Sequence, residues 1–279
     1  MKKRMAMALL SSTVAFAGLV GAGTYAYFSD TETSNGNTVQ AGTLEMTGFR
    51  NDIPIEGPMF YTSDDFDAGN NAPDGVLGTG LWQPGDTNTR GMFIRNDGTL
   101  DAKLNKLYAV AEDADAEAFA EQAHVTIAVF EPDSNVFLGI DSSEYADLVE
   151  AIDQFYKTNF DQLMEQLFPN ADQMELEELK QAIKQVHGEV KKLIMNQSFQ
   201  VDVNGAPVNV NVKQVFQDQL SNLIGNNNLV DNQLQYVVEP GESLFFGYTV
   251  SFDDLTPEEN NPLQGKEVRF NFATEFVQE

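Results

Sequence analysis

Apolar residues recur along this chain with two different periods, and the change of period divides it. From 141 to 194 they fall at three- and four-residue steps. Tyr145, Leu148, Val149, Ile152, Phe155, Tyr156, Phe160, Leu163, Met164, Leu167 and Phe168 form one face of a helix. Asp141 with Glu144 makes a capping-box-like start, and Pro169 ends the run. Asn170 is placed to cap a second helix, whose face is Met174, Leu179, Ile183, Val186, Val190 and Leu193. Two such helices joined by a Phe-Pro-Asn turn predict an αα-hairpin.

On either side the pattern is that of strands. Candidates are Asn37 to Met46, Gly91 to Arg95, Leu104 to Val110, Val125 to Phe130, Leu234 to Val238, Ser243 to Phe252 and Val268 to Val277. Phe199 to Val203 and Val208 to Val212 alternate strictly around Asn204-Gly205, the clearest hairpin signal in the chain. A short helix is expected between Glu112 and Gln122, and another from Val212 to Ile224, before Gly225-Asn-Asn-Asn228. Trp82-Gln-Pro-Gly-Asp86 and Val238-Glu-Pro-Gly-Glu242 each place a Pro-Gly turn and an acidic residue ahead of a strand. The layout is strands, a helical insert, then strands. Neither outer part has enough strands to close by itself, so the expected fold is mainly β: one antiparallel two-sheet sandwich, made by both, with the helices packed outside.

The N-terminus has its own pattern. Lys2, Lys3 and Arg4 precede an uncharged run from Met5 to Gly23, and Thr24-Tyr25-Ala26 closes it. This is the arrangement of a secretory signal, with cleavage expected between Ala26 and Tyr27, Ala22 being the competing site. The divisions are therefore a signal peptide at 1–26, a leader at 27–40, a first β half at 41–140, the insert with its β-hairpin at 141–225, and a second β half at 226–279. The mature protein is expected outside the cytoplasm, in no membrane after processing.

Composition narrows the chemistry. The chain of 279 residues has 43 Asp and Glu against 16 Lys and Arg, a formal charge of −27. Loss of Lys2, Lys3 and Arg4 with the signal takes it to −30. That sign opposes nucleic-acid binding. Zero cysteine removes disulfides, thiol catalysis and cysteine-type metal sites. Only His124 and His187 can supply imidazole. They form no His-Glu-x-x-His, and a two-histidine zinc site would need both to converge with a carboxylate. The expectation is instead a solvated helix residue at 187 and a strand-edge residue at 124. No Gly-x-Ser-x-Gly elbow is present.

The residues of the N-terminal region carry a family resemblance. Thr24-Tyr-Ala-Tyr-Phe-Ser-Asp30, then Glu32, Ser34, Asn37 and Ala41-Gly-Thr-Leu-Glu-Met46, resembles the processing-site and first-strand signature of the TasA/camelysin family. Leu81-Trp-Gln-Pro-Gly-Asp86, Asn96-Asp-Gly-Thr-Leu100, Asn261-Pro-Leu-Gln-Gly-Lys266 and Phe270 to Val277 are similar to later parts of it. The insert carries no such match. The resemblance implies a secreted, jelly-roll-like subunit of extracellular biofilm-matrix fibres, released by a dedicated signal peptidase. Its partners would be copies of itself and accessory matrix proteins. It also implies polymerisation in which the freed N-terminal segment, with Tyr27, Phe28, Ser29, Asp30 and Val39, adds as a strand to a neighbour. The competing classes are a camelysin-like secreted metalloendopeptidase and a monomeric cell-surface binding module.

No catalytic residue and no cofactor is expected, with one candidate to set beside that. Asp64, Asp65, Asp67, Asn70 and Asp74 lie in a turn-rich span whose oxygens suit calcium, although the spacing departs from an EF-hand loop. A solvated loop is the ordinary explanation. Phe60, Tyr61 and Trp82 beside it are expected in the core.

Overall fold

Strand pairing draws on both ends of the chain at once. The computed structural model describes residues 26–27, 43–50, 59–62, 82–111, 113–132, 142–203, 206–224, 236–266 and 268–278. In chain order the elements are β1 (Ala26–Tyr27), β2 (Met46–Arg50), β3 (Phe60–Thr62), β4 (Thr87–Asn96) and β5 (Ala102–Ala111), then α1 (Ala114–Ala120), β6 (Ala123–Pro132), α2 (Ser142–Leu167) and α3 (Leu176–Ile194). There follow β7 (Ser198–Val203), β8 (Ala206–Gln219), β9 (Val237–Val238), β10 (Ser243–Phe252), α4 (Pro257–Asn260) and β11 (Val268–Gln278). One sheet runs β2-β4-β10-β6-β8-β7, every pair antiparallel. The other runs β1-β11-β5-β9, with β3 also on β11. Its pairs are antiparallel except β1 with β11.

Side-chain parity decides what each face touches. On β6, Val125, Ile127 and Val129 point toward the second sheet and join a core with Leu104, Leu107, Phe270, Phe272 and Phe276. The alternate residues Ala128 and Phe130 point the other way, into a second core with Leu148, Val149, Ile152 and Tyr156 of α2 and Val186, Val190 and Ile194 of α3. The six-stranded sheet is therefore a middle layer, covered on one face by the other sheet and on the opposite face by the helical hairpin. From Leu244 to Phe252 every residue of β10 is buried, which explains its near-continuous apolar sequence.

Two glycines let the hairpin approach. Gly91 of β4 and Gly247 of β10 face each other in register. A Cβ on Gly91 would stand 2.5 Å from the Phe245 ring and 2.9 Å from Val149, and one on Gly247 would stand 3.3 Å from Ile152. The pair leaves a flat patch on which α2 rests.

The mainly-β, two-sheet sandwich with a helical insertion is borne out. The two Pro-Gly turns are true equivalents. Gly85 and Gly241 have φ of 88° and 80°, the left-handed conformation glycine favours at this place in a type II turn. Asp86 and Glu242 each accept from the backbone N–H three residues back, at 2.7 and 3.0 Å. The expected helix from Val212 to Ile224 is corrected. β8 continues as strand to Gln219, and only Leu220–Leu223 turns as a 3-10 helix. A register shift opposite Val129/Phe130 breaks the alternation of β8, so Val215 enters the helix-side core and Phe216 the sheet-side core. That break imitates a helical period. Asn170 caps no helix by its side chain; a 3-10 turn at Ala171–Gln173 intervenes and α3 begins at Leu176. Of the expected strand from Leu234 to Val238, Val237–Val238 form β9, and 234 and 235 lie outside the described residues. The β7–β8 hairpin, assigned to the insert, extends the six-stranded sheet.

Gly91→Ala is expected to cost about 1–3 kcal/mol by overpacking the seat of α2, whereas Gly188→Ala, within α3 with nothing inside 4 Å, is expected to gain about 0.5–1 kcal/mol from helix propensity. Denaturant unfolding of both variants against the parent measures this.

Candidate functional site

The two histidines expected at the surface are both buried, and they meet. Parity places His124 of β6 on the hairpin side with Ala128 and Phe130. The same parity on β10 carries Asp253, just past the strand end, to that side. His187 lies on the buried stripe of α3 between Ile183 and Val190. Exposures are 7% for His124, 0% for His187 and 6% for Asp253. His124 Nδ1 is 2.8 Å from one Asp253 carboxylate oxygen, and His187 Nε2 is 3.2 Å from the other. The rings stack with centroids 4.2 Å apart. The loop carrying Asp253 is held by its own N–H donating to the Gln122 carbonyl at 2.9 Å and by the Asn260 amide donating to its carbonyl at 3.1 Å.

The network extends further into the hairpin. Thr126 donates to the Tyr156 hydroxyl at 3.2 Å, and that hydroxyl meets His187 Nδ1 at 2.5 Å. The donors then run one way: Thr126 to Tyr156, Tyr156 to His187 Nδ1, His187 Nε2–H to Asp253, with His124 Nδ1–H donating from the other side. This order assigns His187 as the neutral Nε2–H tautomer. Phe160 covers it, with ring centroids 4.6 Å apart.

Protonation follows from burial. Removal from water pushes His187 from its usual 6.5 down to about 4, although the hydrogen bond to Asp253 opposes the shift. Burial also pushes the Asp253 carboxyl up, but the bonds and charges of His124 and His187 together hold it below its usual value. Burial likewise raises the Tyr156 hydroxyl far above the ordinary phenol range. At neutral pH the cluster therefore holds an ionised carboxylate and a neutral His187.

These geometric facts describe a mainly-β sandwich whose helical hairpin is joined to it through a buried polar cluster. The comparison with protein families then adds a name for the N-terminal segment. Residues 1–54 match the family described as camelysin metallo-endopeptidase, which bears out the resemblance read from Thr24 to Met46. No curated protein matches the chain. The matched segment contains no histidine, so it brings no metal-binding residues of that type with it.

His124, His187 and Asp253 are a group of residue types that could hold a metal. A zinc ion would have to lie in the plane of each imidazole, about 2.0–2.1 Å from its nitrogen. Their ligand atoms lie within 4.8 Å of one another, but the two ring planes differ by only 26° in a stack, so one ion cannot lie in both planes beside both nitrogens. His187's other nitrogen is already bonded to Tyr156. As arranged, the donor set does not fit zinc.

Of the other expected site residues, Ala26 and Tyr27 pair with Thr274 and Glu275 of β11. Phe28, Ser29, Asp30 and Val39, and the calcium candidates Asp64, Asp65, Asp67, Asn70 and Asp74, lie outside the described residues. Phe60 and Trp82 are buried and meet edge to face.

Tyr156→Phe leaves His187 Nδ1 without its donor in the core and is expected to cost about 1–3 kcal/mol. With pH, the unfolded chain binds more protons than the folded one between the usual His value of 6.5 and the folded value of about 4. Stability should therefore fall as pH drops through that window, by on the order of 3 kcal/mol from His187. The contribution of Asp253, whose folded value is depressed, persists above 3.8 and is lost below it. Denaturant midpoints across pH, for the parent and His187→Gln, check the sign.

Proposed function

We propose that this chain is a secreted, non-enzymatic structural subunit that polymerises after signal cleavage by adding its N-terminal segment as a strand to a neighbouring copy. The observation that supports this most directly is the outer edge of β11. β5 pairs along the opposite edge from Phe270 to Gln278. On the outer edge β3 covers Val268 to Phe270, and beyond it, among the described residues, the two residues of β1 pair in parallel at Thr274 and Glu275. The expected cleavage junction thus rests on a strand edge able to accept added strands. Cleavage after Ala26 removes half of this contact and leaves Tyr27 at the start of a free strand. The family match over 1–54 supports a secreted member. Among the described residues no helix is long and apolar enough to cross a membrane. The non-enzymatic reading is supported by the engagement of both histidines inside the core.

Protein beginning at Tyr27 is expected to form filaments visible by negative-stain microscopy, and a form lacking Tyr27 to Gln40 is expected to form none. Because the mature chain carries −30, assembly should strengthen with ionic strength or divalent cation, as screening shortens the reach of repulsion to about 10 Å at 0.1 M salt. Mature protein that remains monomeric across salt, calcium and pH overturns the reading.

A further inference from the structure

The buried cluster draws on four places: His124 and Thr126 from β6, Tyr156 from α2, His187 from α3 and Asp253 from the turn between β10 and α4. It therefore ties both helices of the hairpin to the middle sheet. A second polar tie lies nearby, where Thr89 of β4 donates to Asp153 of α2 at 2.9 Å. Apolar packing between hairpin and sheet is the core already described, and Leu179 and Ile183 of α3 also meet Leu255, just beyond β10. Among the described residues, the core between the two sheets contains none from α2 or α3.

We propose that this cluster is a proton-operated latch, free of metal, that seats the α2–α3 hairpin on the six-stranded sheet at neutral pH and releases it in acid while the two-sheet core stays folded. The geometry shows why a proton would open it. A second proton on His187 has to sit on Nδ1, which now accepts from the Tyr156 hydroxyl. The one-way order of donors from Thr126 would have to reverse, and the new charge would lie against the stacked ring of His124. Burial at 0% exposure denies that charge the water it needs.

Charged groups border the cluster. A cleft of about 470 Å³ on one side of the cluster brings Glu121, Glu177 and Glu259 together with Lys180 and Lys184. A second cavity, of about 410 Å³ and also bordered by Asp253, brings Asp161, Asp172 and Asp254. Burial raises the Asp153 carboxyl, against the pull of its Thr89 bond and of Lys157. The two cavities border Asp253, giving water a short way in once the rings part.

The test is hydrogen exchange by mass spectrometry on the mature chain between about pH 7.5 and 4.5, corrected for intrinsic rates. Peptides from 142–196 are expected to lose protection about tenfold or more while those from β10 and β11 keep theirs. His187→Gln, which cannot take the charge, is expected to abolish the pH step even where its hairpin is looser throughout. With two histidines in the chain, imidazole NMR gives two signals, and the one lost in His187→Gln is expected to stay untitrated through neutral pH. Loss of protection in hairpin and sheets together, a hairpin protected down to pH 4.5, or an unchanged step in His187→Gln overturns the latch. So does one zinc bound per chain at neutral pH and lost in His124→Ala.

Discussion

The middle sheet is apolar on both faces, and the rest of the architecture answers that constraint. β10 sits near its centre, between β4 and β6, and buries Leu244 to Phe252 without a break. A two-sheet sandwich covers one face. The other face, with Phe93, Ala128, Phe130 and Phe245, would remain in water unless a further layer covered it. The α2–α3 hairpin is that layer, and β7 and β8, which follow it in the chain, return to widen the sheet it covers. The insert is thus part of the fold's hydrophobic closure.

A seat made only of aliphatic and aromatic side chains is tolerant of sliding. Volume and polarity are satisfied in several registers, and packing detail sets uniqueness only in its last few kcal/mol. The Gly91/Gly247 patch restricts where α2 can approach, and the polar cluster restricts how α2 and α3 sit together. Asp253 must face two donors and Tyr156 must reach His187. A shifted helix would strand a buried carboxylate, whose penalty far exceeds the worth of one neutral hydrogen bond. This makes the cluster a device for register, and it ties that register to protonation.

Much of the fold could be read from periodicity. Both helices, the Asn204-Gly205 hairpin and the strand Ser243–Phe252 follow from local pattern, because their packing repeats the period of the element. The failures occurred where tertiary pairing broke that period. In β8 a register shift against β6 puts Val215, three residues after Val212, on the same face as Val210 and Val212, and that step looks helical in sequence. The site was less legible. The two histidines, and the need for a carboxylate beside them, stand in the composition, yet the partner was one of 43 acidic residues. A signal for burial was present: His187 is four residues after Ile183 and three before Val190, and His124 shares parity with Ala128 and Phe130. No local signal selects Asp253, because its place depends on β10 lying beside β6.

The layers also separate the two functional ideas. The segment matching the camelysin family, residues 1–54, reaches β1 and β2, while the latch residues all lie beyond it. β11, whose outer edge is suited to strand addition, belongs to the sheet that the hairpin never covers. Its side chains Phe270, Phe272 and Phe276 pack into the core between the sheets, not into the hairpin's core. Unseating the helices therefore would expose one face of the middle sheet while leaving the β11 edge supported from β5. An apolar face uncovered in that way is wide and flat, and bears Phe93, Phe130 and Phe245. In a filament of such subunits, acid would add a lateral apolar surface without removing the strand that links one copy to the next.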